Sequence, residues 1–137
     1  MFSISRRSVL RLRAAATVLA LGAGAGLVSA APAVAKSDLD LHADRSSVTV
    51  GAAFTVTASG VSDDFGGDTM LVCVDERTGS QASWRTLRCT SGATLDLSER
   101  AARAGRVSFR AQLLAVTAPG RTCVDRTSAV VTVRVVR

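Results

Sequence analysis

The chain has 137 residues, no tyrosine and a formal net charge of +6, from 17 basic and 11 acidic residues. Four arginines within residues 1–35 precede the first acidic residue, Asp38, and removing them leaves 13 bases against 11 acids. The remaining acids and bases are interspersed along the chain, whereas a nucleic-acid-binding domain keeps a dense basic face, so we expect no nucleic-acid partner.

Residues 1–35 have the pattern of a cleaved signal peptide. Basic residues are followed by an uncharged run over 14–28 and by the small residues Ala33-Val34-Ala35. The run is shorter than the ~20 residues of a membrane-spanning helix, so we expect no permanent membrane anchor. The stretch SRRSVLR at 5–11 resembles the twin-arginine export motif, and an ordinary secretory signal is the alternative. We therefore expect a secreted, extracellular protein with a mature domain at 36–137.

Alternating apolar and polar residues predict short β-strands in the mature chain. In AAFTVTA, for example, Phe54, Val56 and Ala58 fall on one face. The same pattern predicts strands at 39–44, 47–50, 53–59, 69–76, 84–90, 93–97, 106–117 and 128–136. Between two of them, SERAARA at 98–104 predicts a single helical turn, and Pro119-Gly120 predicts a type II turn.

Seven or eight short strands in about 100 residues predict one all-β domain, a two-sheet antiparallel sandwich, with a small closed barrel as the alternative. The segment LDLHADRSSVTVGAAFTVTASG at 39–60 resembles the first strands of bacterial immunoglobulin-like domains. GRVSFRAQL at 105–113, followed by TSAVVTVRVV at 127–136, resembles the last strands of immunoglobulin-like or fibronectin type III-like modules in exported bacterial proteins. The resemblance implies an immunoglobulin-like β-sandwich, although one without the tyrosine corner of many such domains.

Three cysteines in an exported chain predict one disulfide and one odd thiol. If 69–76 and 84–90 form a hairpin centred near Gln81, Cys73 falls opposite Cys89, within range of a disulfide. Cys73–Cys123 and Cys89–Cys123 are the alternatives. The preferred pairing leaves Cys123 as a free thiol, which could also link two chains as a dimer.

The sequence offers little catalytic or metal-binding chemistry. His42, the single histidine, lies at a polar position of an alternating stretch, and we interpret it as a surface residue without a partner to orient it as a base. Asp63, Asp64 and Asp68 share a glycine-containing loop, but their spacing does not match a twelve-residue EF-hand loop, so we expect no metal site. We expect no cofactor, no enzymatic activity and no carboxylate pair that converges on a pocket.

The expected function is therefore binding, through loops on a rigid scaffold. The loops at 60–68 and 117–127 are expected at the same end of the sandwich, with Asp63, Asp64, Asp68, Arg121 and Arg126 as candidate binding residues. The partner would be an extracellular or cell-wall protein or glycan. A small-molecule carrier resembling antibiotic-binding apoproteins is one alternative, and a protease inhibitor acting through the 77–83 loop is another. Trp84 is expected in the core, or else exposed as a stacking platform for a sugar ring.

Overall fold

The alternation of apolar and polar residues along the chain produces nine β-strands and no helix in the computed structural model, which describes residues 37–137. The predicted signal peptide lies outside the described residues. The strands are β1 (Ser37–Ala43), β2 (Ser47–Thr49), β3 (Ala53–Ser62), β4 (Thr69–Thr78), β5 (Arg85–Thr90), β6 (Thr94–Arg100), β7 (Gly105–Ala118), β8 (Arg121–Thr127) and β9 (Val131–Val136).

The strands form two sheets, so the all-β prediction is confirmed. The smaller sheet has the order β1-β3-β6, and the larger has the order β2-β9-β7-β4-β5. β8 and β9 both pair with β7, β8 with its second half and β9 with its first half. All pairings are antiparallel except that of β2 with β9.

The apolar faces of both sheets contribute to one core. Phe54 from the smaller sheet and Phe109 from the larger sheet meet edge to face, with ring centroids 5.9 Å apart. The most deeply buried side chains are Phe109, Leu113, Val56, Val72, Val74, Val133 and Cys73. Each apolar member of this set except Cys73 belongs to the core cluster, as expected from strands whose alternate residues face the same side.

The predicted pairing of Cys73 with Cys89 is confirmed. The two residues lie directly opposite each other on β4 and β5, and their side chains form a disulfide. In the larger sheet β7 lies between β4 and β9, and β5 is the other neighbour of β4. The disulfide therefore joins neighbouring strands of one sheet rather than the two sheets.

The predicted helical turn at 98–104 is wrong. Ser98, Glu99 and Arg100 instead extend β6, where they pair with Thr55, Phe54 and Ala53. The next residue, Ala101, is buried and donates a hydrogen bond from its N–H to the carbonyl of Ala52. Backbone pairing with β3 and burial of Ala101 thus override the local helix-start signal, as tertiary context commonly does.

The predicted loop at 117–127 is wrong over most of its length, because Arg121–Thr127 forms β8. Gly120 has a φ of 70° and, with Pro119, makes the tight turn that joins β7 to β8. Ala118 consequently pairs with Arg121. Nearly every residue of β8 is exposed, so the strand has no apolar face by which its sequence could have revealed it.

Candidate functional site

Strand pairing brings the β3–β4 loop and the Pro119-Gly120 turn to one end of the domain. Ser37 pairs with Ser62 at the end of β3, and Thr69 at the start of β4 pairs with Val116. We call the residues at this end of the domain, 62–69 and 118–121, the loop end. Three predicted binding residues of the β3–β4 loop and one of the hairpin are exposed here: Asp63, Asp64, Asp68 and Arg121.

Asp64 has a structural partner at the loop end. Its Oδ2 accepts a hydrogen bond from Ser37 Oγ at 2.9 Å, and its N–H donates to Ser62 Oγ at 3.2 Å. Ser37 is 3% exposed, so this carboxylate fixes the start of β1 against the loop. Asp63 and Asp68, in contrast, form no ion pair with any residue of 37–137. They are the acids of this loop that are available to a partner.

Arg126 lies away from the loop end. It is exposed but pairs with Leu113, five residues before Ala118 along β7, which corresponds to about 17 Å of strand. The expectation that Arg126 belongs to an end loop was wrong, because the 117–127 segment is a strand. The loop end therefore keeps four of the five predicted binding residues, namely Asp63, Asp64, Asp68 and Arg121.

A cleft opens at the other end of the domain, between the two sheets. Its volume is about 320 Å³, and apolar side chains, including Phe54, Val107 and Phe109, form part of its wall. Glu76 of β4 and Glu99 of β6 also line it. The expectation that no carboxylate pair converges on a pocket was therefore wrong, because the two glutamates come from different sheets and are 23 residues apart in sequence.

The two glutamates of the cleft have different environments. Glu76 Oε2 accepts a hydrogen bond from Arg85 NH2 at 2.7 Å. Burial raises the pKa of Glu99 above its ordinary value of 4.5, and the nearby charge of Glu76 raises it further, while Arg85 and Arg88 act in the opposite direction. The cleft can therefore hold an apolar group beside a carboxyl whose pKa is raised.

Trp84 is not part of the core. The guanidinium carbons of Arg77 and Arg110 lie 4.5 and 4.6 Å from the centre of its ring, close enough for cation–π attraction. Both arginines alternate with core residues on their strands and thus lie on the outer face of the larger sheet. The half-buried indole covers this face, which corrects the expectation of a core tryptophan.

The remaining candidates are isolated side chains. His42 is exposed on β1, and its Nδ1 lies 3.7 Å from Asp40 Oδ2. Cys123 carries a free, exposed thiol on β8. In the predicted 77–83 loop, residues 79–83 are exposed. They follow the last residue of β4, Thr78, whereas the loop end lies at the first residue of β4.

Within residues 37–137, no three His, Cys, Asp or Glu side chains are grouped so that they could hold a metal ion. In the same part of the chain, no helix is both long and apolar enough to cross a membrane. No protein-family model matches the chain, and a search of curated proteins finds no significant match.

Proposed function

We propose that this protein is an exported, non-enzymatic binding module that uses an immunoglobulin-like β-sandwich as its scaffold and contacts a cell-envelope protein or glycan through the loop end. The strand order supports the scaffold. In immunoglobulin-like domains the first, second and fifth strands share one sheet, and the third, sixth and seventh share the other. β1, β3 and β6 correspond to the former set, while β4, β7 and β9 correspond to the latter.

The observation that carries the binding proposal is the exposure of opposite charges at one end of a rigid scaffold. Asp63 and Asp68 lie on a six-residue loop between β3 and β4, and Arg121 lies on the adjoining hairpin. None of the three forms an ion pair with a described residue. Loops held by a packed sheet can present such groups to a partner with little rearrangement on binding.

The test is co-sedimentation of residues 36–137 with cell walls isolated from the organism that encodes the protein. We expect wild-type protein to sediment with the walls and the double variant Asp63→Asn/Arg121→Gln to lose at least about 80% of that binding, since each charge at a contact contributes roughly 1 kcal/mol or more. The matched control is Asp40→Asn/Arg45→Gln, which removes the same two charges from exposed sites elsewhere. Equal binding by both double variants would contradict the proposed site.

The cleft supports a second candidate function, transport of a small organic molecule. Its volume of about 320 Å³ and its partly aromatic wall match the lower end of ligand pockets in proteins. Mass spectrometry of a solvent extract of the secreted protein would detect a stoichiometric organic ligand. Ala102, an exposed residue at the cleft, provides the control: Ala102→Trp should fill the opening and abolish co-purification. An extract free of organic ligand would contradict this candidate.

A further inference from the structure

The outer face of the larger sheet carries a groove that neither the loop end nor the cleft includes. Its volume is about 390 Å³. Arg77, Ser108 and Thr132 lie opposite one another on β4, β7 and β9, and together they make one row across the sheet. Arg106 lies in the next row, and the other lining residues are Gly79 and Ser80 of the β4–β5 loop.

The groove has excess positive charge. Arg106 faces Arg134 directly across the β7–β9 pair, an arrangement of like charges that is unfavourable in an antiparallel sheet. Within residues 37–137, neither of them nor Arg77 forms an ion pair. Asp75, which lies two residues before Arg77 on β4, is already bound by Arg110 and Thr86.

Arg77 is held in the groove with an unsatisfied hydrogen-bond donor. Its Nε is buried and has no hydrogen-bond partner, and its guanidinium carbon lies 4.5 Å from the centre of the Trp84 ring. Contact with the indole restricts the side chain, which reduces the conformational entropy that Arg77 would lose on binding a ligand. Beside it, Ser108 Oγ and Thr132 Oγ1 are 3.0 Å apart, so one hydroxyl donates to the other and the second hydroxyl proton is free.

We propose that this groove binds a phosphate group. A guanidinium presents several N–H donors in a planar fork that matches the oxygens of phosphate or carboxylate. Two guanidinium groups and a hydroxyl converge here, and their donors exceed what the two oxygens of one carboxylate accept. A phosphate, with three or four oxygens, can accept hydrogen bonds from both guanidinium groups and from the hydroxyl. Its negative charge also offsets the repulsion between Arg106 and Arg134. The groove is open, so the phosphate can be the free ion or a glycerol-phosphate unit of a polymer.

The test is a titration of ¹⁵N-labelled residues 36–137, followed by NMR, with inorganic phosphate, with a glycerol-phosphate oligomer and with acetate. We expect saturable shifts of the amide signals of Gly79, Ser80 and Ser108 with both phosphate probes. Tighter binding of the oligomer, per phosphate, would identify the polymer as the source, and equal binding would identify the free ion. Acetate should bind about tenfold more weakly, because it offers fewer acceptor oxygens.

Three single variants separate the groove from general charge effects. Arg77→Gln and Arg106→Gln should each weaken phosphate binding about tenfold, as expected for loss of a charge-assisted hydrogen bond. Because Arg106 is exposed, its variant stays informative even if Arg77→Gln does not fold. Arg126→Gln is the matched control and should bind phosphate like wild type, because Arg126 is exposed and pairs with Leu113, about 17 Å from Ser108 along β7.

The proposal would be overturned if neither phosphate probe gave saturable shifts. It would equally be overturned if Arg126→Gln weakened binding as much as Arg106→Gln, or if acetate bound as tightly as phosphate. These outcomes are independent of the cell-wall test, because that test changes Asp63 and Arg121 at the other end of β7. The proposal for the groove can therefore fail while the proposal for the loop end holds, and the reverse is equally possible.

Discussion

Asp75 and Arg110 form a buried ion pair across β4 and β7, with Arg110 Nε 2.9 Å from Asp75 Oδ2. The Asp75 side chain is only 3% exposed, and its other oxygen accepts a hydrogen bond of 2.7 Å from Thr86 Oγ1. Both carboxylate oxygens are thus satisfied, as a buried charge requires. The pair also fixes Arg110 against Trp84, so the ion pair and the indole stabilise each other's position.

Replacing Arg110 by Ala should lower the free energy of unfolding by about 3 kcal/mol, because it leaves the Asp75 carboxylate buried without its counter-ion. Urea denaturation at neutral pH measures this change. The double variant Asp75→Leu/Arg110→Met is the control and should lose less stability than Arg110→Ala, since it removes both charges. A loss below about 1 kcal/mol for Arg110→Ala would mean that water replaces the guanidinium.

Glu99 should make the protein less stable as the pH rises above 4.5, its ordinary pKa, because burial and Glu76 raise its pKa in the folded state. In that window the unfolded chain releases the proton before the folded chain does, so the free energy of unfolding falls with pH. Glu99→Gln should therefore match wild type near about pH 4 and exceed it near about pH 7. Denaturation curves at several pH values measure the difference. A difference that stays constant or shrinks with pH would contradict the assignment.

Loss of the Cys73–Cys89 disulfide should lower the free energy of unfolding by about 3 kcal/mol, since the bond closes a loop with a sequence separation of 16 and restricts the unfolded chain. The variant is Cys73→Ala/Cys89→Ala, and the measurement is thermal unfolding. Cys123→Ser is the control and should change stability by less than about 0.5 kcal/mol, because Cys123 is exposed and unbonded. A larger effect of Cys123→Ser would contradict its assignment as a free thiol.

Cleavage after Ala35 should give an exported protein that begins Lys36-Ser37-Asp38, because Ala33 and Ala35 place small side chains before the cleaved bond. N-terminal sequencing of the secreted protein tests this. In a separate experiment, Arg6→Lys/Arg7→Lys should block secretion if the twin-arginine pathway is used. Unchanged secretion would favour the ordinary secretory route, and a secreted chain that retains residues 1–35 would contradict the cleavage prediction.

The candidate sites were only partly predictable from the sequence. The alternation in GRVSFRAQL at 105–113 puts Arg106, Ser108 and Arg110 on one face of β7, and the loop composition identified Asp63 and Asp68. The acidic loop could be located from the sequence because its residues are neighbours along the chain and need no distant strand to bring them together. The two glutamates of the cleft could not be paired, because Glu76 and Glu99 meet only after the two sheets pack together.

Local alternation and turn residues determined the all-β class, the boundaries of most strands and the hairpin register that joins Cys73 to Cys89. These features depend on neighbours in sequence, so the chain itself encodes them. The tertiary structure decided the rest. It turned 121–127 into an edge strand without an apolar face, extended β6 through Arg100 by pairing with β3, and set Trp84 against Arg77 and Arg110. Each of these outcomes depends on contacts between strands far apart in sequence, which the periodicity of a single strand does not record.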